Sequence, residues 1–265
     1  MHDQPVSWFG RLMAESWAET PSETPDLPFF RQAIARHGQP ALDLACGIGR
    51  LLIPLLRLGI DVDGCDISED MLRYCRRNAE RAGFHPNLYL QSMHAFEIPR
   101  KYRTIFICNA FDLAGSRAND LETLRRCHLH LEEGGALIFN ILAEYTSPET
   151  WDGWLSERRK RLPQPWPEEG SRRTAPDGSE YVTRVRLLDV NPLEQHLTRQ
   201  VRVEKWQSGK MIAAEEHLMR ANMYLKSELL LMLNVAGFRQ VSVRGDYTDE
   251  PATPDSRELV FLAIR

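Results

Sequence analysis

The chain has 265 residues, 43% of them hydrophobic and 26% charged, enough for one full α/β domain and an accessory element around a real core. Its formal net charge of −4 lacks the basic footprint of a nucleic-acid-binding surface, so no nucleic-acid partner is expected. No apolar run is long enough to span a bilayer, and the opening MHDQPVSWFG lacks the basic-then-apolar order of a signal peptide; the expectation is a cytoplasmic protein with no membrane partner.

The basic run Arg158-Arg159-Lys160-Arg161 is diluted by Glu157, Glu168 and Glu169, and reads as a solvated loop or helix end. The five cysteines, Cys46, Cys65, Cys75, Cys108 and Cys127, are odd in number and never spaced as C-x-x-C. Cys46, Cys65 and Cys108 lie in or beside apolar runs and read as reduced, packed thiols. His and Cys never cluster at ligand spacing, so no metal site is expected.

In chain order, residues 1–37 look helical but are broken by the Pro- and acid-rich stretch 20–28. Residues 41–45 form a short apolar strand ending in a glycine turn, and 50–58 have helical character with Pro54 early in the helix. Residues 61–66 read as a second strand. Ser68 is the expected N-cap of a helix running to about residue 82, with Gly83 as its stop. Strands follow at 87–91 and 104–108, then a helix over 119–131 and a fifth strand over 136–142. Strands alternating with helices imply a parallel sheet covered on both faces.

Beyond residue 145 the pattern changes. Residues 146–178 read as a long loop with one helix around 151–161. Period-two alternation over 181–190, 196–206 and 211–220, broken by Asn191-Pro192 and Ser208-Gly209, predicts an antiparallel meander. A helix over 227–236, capped by Gly237, and strands over 240–244 and 259–264 close the chain. The expected fold is α/β: a Rossmann-like, doubly wound, seven-stranded mixed sheet with an inserted antiparallel β meander. Residues 1–145 and 222–265 form one domain, and 146–221 an inserted lid or dimerisation element. The exposed edge of the meander is the expected surface for a homodimer.

The strongest local signal is Ala41-Leu42-Asp43-Leu44-Ala45-Cys46-Gly47-Ile48-Gly49-Arg50, a strand entering a glycine turn that opens a helix. Asp66 ends the next strand about 20 residues later, where an acid can accept from both hydroxyls of a ribose. Two ligand classes use this arrangement. A dinucleotide site wants a small residue at the position of Leu52, and Asp43 in the preceding strand would repel a pyrophosphate. The same acid would attract the α-amino group of S-adenosylmethionine. Both details favour the adenosyl sulfonium ligand over NAD.

These residues resemble a known family. DLACGIGR looks like motif I of the class I S-adenosylmethionine-dependent methyltransferases, and GIDVDGCDISEDML resembles the segment around their second-strand acid. LRRCHLHLEEGGALIFNIL and LKSELLLMLNVAGFRQVSV resemble the family's fifth-strand entry and C-terminal helix. GDYTDEPATPDSRELVFLA looks like the end of a subset acting on small molecules. The resemblance implies that Asp43 and the backbone of Ala45, Cys46, Gly47 and Gly49 face the methionine part of S-adenosylmethionine, and that Asp66 binds its ribose. Ile67 and Met71 would pack near adenine and ribose, Ser92 and Met93 would meet the adenine edge, and Asn109 would lie beside the methionine part. It also implies that the N-terminal helices cover the site, with Trp8 or Trp17 near it. Two residues depart from the pattern: Ala45 replaces the first glycine, and Ser92 stands where an Asp is common.

The expected activity is methyl transfer from S-adenosylmethionine to an N or O atom of a small molecule. The chemistry needs an aligned nucleophile and exclusion of water, and for a hydroxyl acceptor a general base. No residue declares itself as that base. Substrate contacts are expected from Tyr145, with Asp112 and Glu144 nearby, and from His217, Arg220 and Tyr224 of the insert. The other readings are a methyltransferase acting on protein or RNA, a binding or assembly protein that has lost catalysis, and a dinucleotide oxidoreductase, against which Leu52 argues.

Overall fold

A computed structural model describes residues 10–143 and 146–265. Trp8, Glu144 and Tyr145, named above, lie outside the described residues. Five parallel strands form the centre of the main sheet: β1 (Ala41–Leu44), β2 (Val62–Asp66), β3 (Leu88–Leu90), β4 (Tyr102–Ile107) and β5 (Leu131–Leu142). Two further strands, β10 (Gln240–Gly245) and β11 (Glu258–Ile264), complete the sheet in the order β10-β11-β5-β4-β1-β2-β3, with β11 antiparallel to both neighbours. The expected seven-stranded mixed sheet is therefore present. The order in which successive strands are added reverses between the parallel strands β1 and β4, which opens a crevice at their carboxyl ends.

The central strands are apolar because both faces are covered. Helices α2 (Leu27–His37), α3 (Leu52–Arg57) and α4 (Glu69–Arg81) cover one face, with Phe30, Leu52, Leu55, Leu72 and Cys75 against Phe106 and Ile138. Helices α5 (Arg117–His130) and α8 (Lys226–Ala236) cover the other, with Leu124, Leu229 and Leu233 against Leu137 and Phe139. Leu52 is fully buried because β2 carries Gly64 opposite it: a Cβ on Gly64 would stand 2.7 Å from Leu52 Cδ1. The packing space that a dinucleotide fold finds in a small helix residue is supplied here by the strand.

Local signals set the helix ends. Ser68 caps α4, its hydroxyl accepting from the Met71 N–H at 3.2 Å, with Glu69 and Asp70 in the first turn. Gly237 stops α8 in the left-handed region at φ 112°. Strand β5 begins earlier than its apolar run suggests: Leu131 pairs with Tyr102 before a register break, and Gly134 at φ 73° absorbs the irregularity.

A second sheet lies in sequence between β5 and α8. Strands β7 (Glu180–Asn191), β8 (His196–Gln207) and β9 (Lys210–Asn222) form the expected meander. Ser208 and Gly209, at φ 49° and 74°, make the tight turn between β8 and β9. A fourth strand, β6 (Ser171–Thr174), pairs with β7 where the composition reads as loop; its four residues are exposed and polar, so no burial pattern marked it. The single expected helix near 151–161 is two short ones, α6 (Pro148–Trp154) and α7 (Ser156–Arg159). Helix α1 (Arg11–Glu19) packs Leu12, Met13 and Ala14 between this sheet, through Tyr181, Val201 and Val203, and Ile48 and Met71 of the main domain.

The second sheet is tied to α5 by a buried polar joint. Asp120, fully buried, accepts from Asn222 Nδ2 at 2.6 Å and from the Tyr224 hydroxyl, both through Oδ2. Its Oδ1 has no hydrogen-bond partner among the described residues. Arg117 Nε donates to Glu228 Oε1 at 2.7 Å, and its Nη2 donates to the Met223 carbonyl at 2.7 Å.

Burial pushes the Asp120 carboxyl up to about 7, the bonds from Tyr224 and Asn222 only partly offsetting it. Because the folded value exceeds the unfolded one, Asp120 favours folding while protonated, and that contribution is lost as pH rises from about 4 to about 7. Urea unfolding of wild type and Asp120→Asn at pH 4.5 and 7.5 reads this directly. The variant should gain on wild type by roughly 3 kcal/mol at the higher pH, an upper figure from the linkage relation. An unchanged difference between the two pH values would show that Asp120 stays charged in its joint.

Candidate functional site

The crevice between β1 and β4 deepens into a cavity of about 890 Å³. Its floor begins at the turn after β1. Ala45, Gly47 and Gly49 adopt φ 69°, 53° and 85°, a left-handed run that bends the chain sharply into α3. The N–H groups of Ala45 and Cys46 donate to the Cys65 carbonyl at 2.7 and 3.0 Å. The Gly47 N–H donates to Asp66 Oδ2 at 2.8 Å, while Asp66 Oδ1 accepts from the Ser68 N–H at 2.8 Å. A Cβ on Gly47 would meet nothing within 4 Å, so the backbone there faces open space. A Cβ on Gly49 would stand 2.8 Å from Cys75 Sγ, so Gly49 serves helix packing.

Ala45, Cys46 and Gly47 line the cavity from this turn; Asp66, Ile67 and Met71 line it from the end of β2 and the start of α4. Ser92, Met93 and His94 follow β3, and Cys108, Asn109 and Ala110 follow β4. Trp17 reaches it from α1. Of the residues expected at the cofactor, only Asp43 and Gly49 stand behind the wall. Asp43 is 3% exposed and is not among the cavity-lining residues. Burial pushes it up to about 8, against the attraction of Arg50. Burial also raises Asp66, against the backbone N–H groups that it accepts from.

His217 and Tyr224, expected at the substrate, are not among the cavity-lining residues. His217 sits on β9 against Gly10, with Nε2 3.3 Å from Glu215 Oε2, which also accepts the Leu12 N–H at 3.0 Å. That arrangement clamps the start of α1. Tyr224 belongs to the Asp120 joint. Arg220 reaches His196 Nδ1 at 3.1 Å. Alternation along a strand marks which residues share a face, not which face meets a cavity.

Several lining residues were not among those expected at the site. Arg50 donates to both oxygens of Asp26, each at 2.6 Å, and approaches Cys108 Sγ at 3.2 Å. Burial opposes the charges of this pair, and their mutual bonds outweigh it, lowering Asp26 and raising Arg50. A cation at the N-terminal end of a helix runs against the helix dipole, and that was the one signal that Arg50 had a partner elsewhere. Glu23, Tyr247, Glu258 and Arg173 of β6 also line the cavity. They come from segments far apart in sequence. Among the described residues no cluster of His, Cys, Asp or Glu is arranged to hold a metal ion, and no helix is long and apolar enough to cross a membrane.

Comparison with known proteins follows the same lines. Residues 41–135 match the family described as Methyltransferase domain. A protein of Geobacillus sp. (strain WCH70) named as a methyltransferase is 24% identical over 262 residues, covering 97% of this chain and 96% of its own. The dTDP-3-amino-3,4,6-trideoxy-alpha-D-glucopyranose N,N-dimethyltransferase of Streptomyces venezuelae is 26% identical over 144 residues, covering 51% of this chain and 55% of its own. The crystal structure of a S-adenosylmethionine-dependent methyltransferase from Clostridium acetobutylicum ATCC 824 superimposes with a TM-score of 0.70 at 16% identity, over 92% of each chain. The fold is thus the Rossmann-like methyltransferase fold, extended by the four-stranded sheet.

Ala45 occupies a left-handed position that costs a residue with a Cβ about 1–2 kcal/mol. Ala45→Gly should raise stability by about 0.5–1 kcal/mol, after the greater unfolded-state freedom of glycine is subtracted. Urea unfolding of the pair checks it; a less stable variant would mean that the Ala45 methyl group packs productively in the turn.

Proposed function

We propose that this chain, which carries a methyltransferase domain over residues 41–135, is an S-adenosylmethionine-dependent methyltransferase that methylates an N or O atom of a small molecule. The observation that carries the reading is a single cavity that takes in Asn109 after β4, the glycine turn after β1, Asp66 at the end of β2 and the Ser92-Met93 pair after β3. The residues fit the cofactor. Open space over Gly47 lets a ligand approach the backbone, and the Asp66 carboxylate faces the cavity with acceptor capacity beyond its two backbone bonds. Asp66 would hold the ribose, Ser92 and Met93 the adenine, and the turn with Asn109 the methionine part. Asp43, buried behind the turn, would support it from beneath rather than touch the ligand.

When bound, the cofactor supplies a methyl group already activated by its sulfonium. The chain's own part is to bind, orient and exclude water. Trp17, Met71, Leu113 and Ala114 give the cavity apolar walls. Its volume, about 890 Å³, is within the range of small-molecule sites, which supports an acceptor of metabolite size beside the cofactor. The Streptomyces venezuelae relative, named for an amino-sugar nucleotide, supports the same class. In this reading residues 146–221 are an insert that walls the substrate side, through Arg173 and through its packing on α1.

Calorimetric titration with S-adenosylmethionine, with NAD as control, tests the reading. Wild type should bind S-adenosylmethionine in the micromolar range, about −8 kcal/mol, and should not bind NAD. Asp66→Ala removes both the ribose acceptor and the support of the Gly47 N–H, and should weaken binding at least tenfold, about 1.4 kcal/mol. Absence of S-adenosylmethionine binding by wild type would sink the proposal.

A further inference from the structure

One end of the cavity is polar, and cofactor binding as described leaves it unused. It lies where β11 begins beside the end of β5. Because β11 runs antiparallel, its first residue, Glu258, stands opposite Leu142 at the same sheet edge as the carboxyl ends of β4 and β5. Asn140, 2% exposed, links this corner to the end of β4. Its Oδ1 accepts the Asn109 N–H at 2.8 Å, and its Nδ2 donates to Asn109 Oδ1 at 2.6 Å and to Glu258 Oε2 at 2.8 Å. The Asn109 N–H fixes the orientation of that amide, since a flipped Asn140 would turn its own N–H group against it. Tyr247 adds a hydrogen bond to Asn109 Oδ1 at 3.3 Å, and Asp246 Oδ1 accepts the Glu258 N–H at 2.9 Å.

Glu258 is thus held by one oxygen. Its Oε1 has no hydrogen-bond partner among the described residues, and the side chain lines the cavity. No ion pair to Glu258 forms among the described residues, and the nearby Arg50 is committed to Asp26. Burial raises the Glu258 carboxyl, and Asp246 and Asp26 act in the same direction. A fixed carboxylate without a countercharge, facing a cavity, favours a cationic N–H donor as its occupant.

We propose that Glu258 anchors the methyl acceptor through Oε1 and that the acceptor is an amine, with Asn140 as the residue that positions Glu258; this rests on the methyltransferase reading. The acceptor enters as an ammonium, donates a hydrogen bond to Oε1 and passes one proton to the carboxylate. The freed nitrogen lone pair forms the N–C bond to the sulfonium methyl group. The C–S bond breaks and its electron pair stays on sulfur, leaving a thioether and a methylated ammonium. Glu258 returns its proton to solvent as product leaves. An ammonium titrates within a few units of a buried carboxyl, whereas an alcohol lies far above one, so this base suits nitrogen and not oxygen.

The test uses whole protein saturated with S-adenosylhomocysteine and two probes: dTDP-3-amino-3,4,6-trideoxy-α-D-glucopyranose and its 3-hydroxy counterpart. Wild type should bind the amine at least tenfold more tightly than the hydroxyl compound. Glu258→Gln should reduce that preference below threefold while S-adenosylhomocysteine affinity and melting temperature stay unchanged. Acetylation of the probe's amine should cost wild type the same tenfold, a measurement that needs no variant to fold. No amine preference in wild type, weak or absent binding of both probes included, overturns the proposal. So does a preference that survives in Glu258→Gln, or a tenfold loss of S-adenosylhomocysteine affinity in that variant, which would place Glu258 at the cofactor's own amino group. Failure of wild type to bind S-adenosylhomocysteine or S-adenosylmethionine at all is a different result, and falls on the methyltransferase reading itself.

Discussion

The turn after β1 leaves successive backbone N–H groups without helical or strand partners, and the end of β2 accepts them. The Cys65 carbonyl takes two and the Asp66 carboxylate a third, while the other Asp66 oxygen caps the chain entering α4 at Ser68. Buried N–H groups are costly unless paired, so these bonds hold a run of left-handed residues that would otherwise relax. They fix where α3 and α4 start relative to the sheet. Because one carboxylate does this and also lines the cavity, the shape of the turn and the cavity floor depend on the same side chain.

The cavity's electrostatics are built from acids whose charge is handled in different ways. Asp43 is buried beneath the turn and held up toward neutrality. Asp26 is neutralised by a bidentate Arg50, which crosses from the glycine turn to the start of α2 and so ties the covering helix to that turn. Breaking either half of that pair would leave a charge with little water around it, a costly state. Glu258 keeps Oε1 free of hydrogen-bond partners among the described residues.

The second sheet joins the main domain in two ways. Its apolar contribution grips α1, which brings Trp17 to the cavity. Its polar contribution is the Asp120, Tyr224 and Asn222 joint, reinforced by Arg117 on Glu228 and on the Met223 carbonyl. Tyr224 and His217 stand in these joints. Their residue types suit substrate chemistry, and their partners assign them to holding elements together.

Much was legible in the sequence because it is local. Hydrophobic period, Ser68 as a cap, Gly83 and Gly237 as stops, and the spacing from the glycine turn to Asp66 each depend on residues within a few positions, or on one βαβ unit. These determined the α/β sheet, the meander and the part of the cavity lined by the glycine turn and Asp66. Strand β6 was hidden because its exposed, polar residues carry no burial pattern. The polar corner around Glu258 was readable only in part: Asn109 and the segments that carry Asn140, Tyr247 and Glu258 stood out by resemblance, but their meeting did not. Asn109, Asn140, Tyr247 and Glu258 are separated by up to 149 positions, and they meet only because β11 enters the sheet antiparallel beside β5. Their residue types repeat elsewhere in the chain without consequence. Local sequence determined which elements form and where the glycine turn lies; strand order and direction, which depend on packing across the whole sheet, decided which side chains face one another over the cavity.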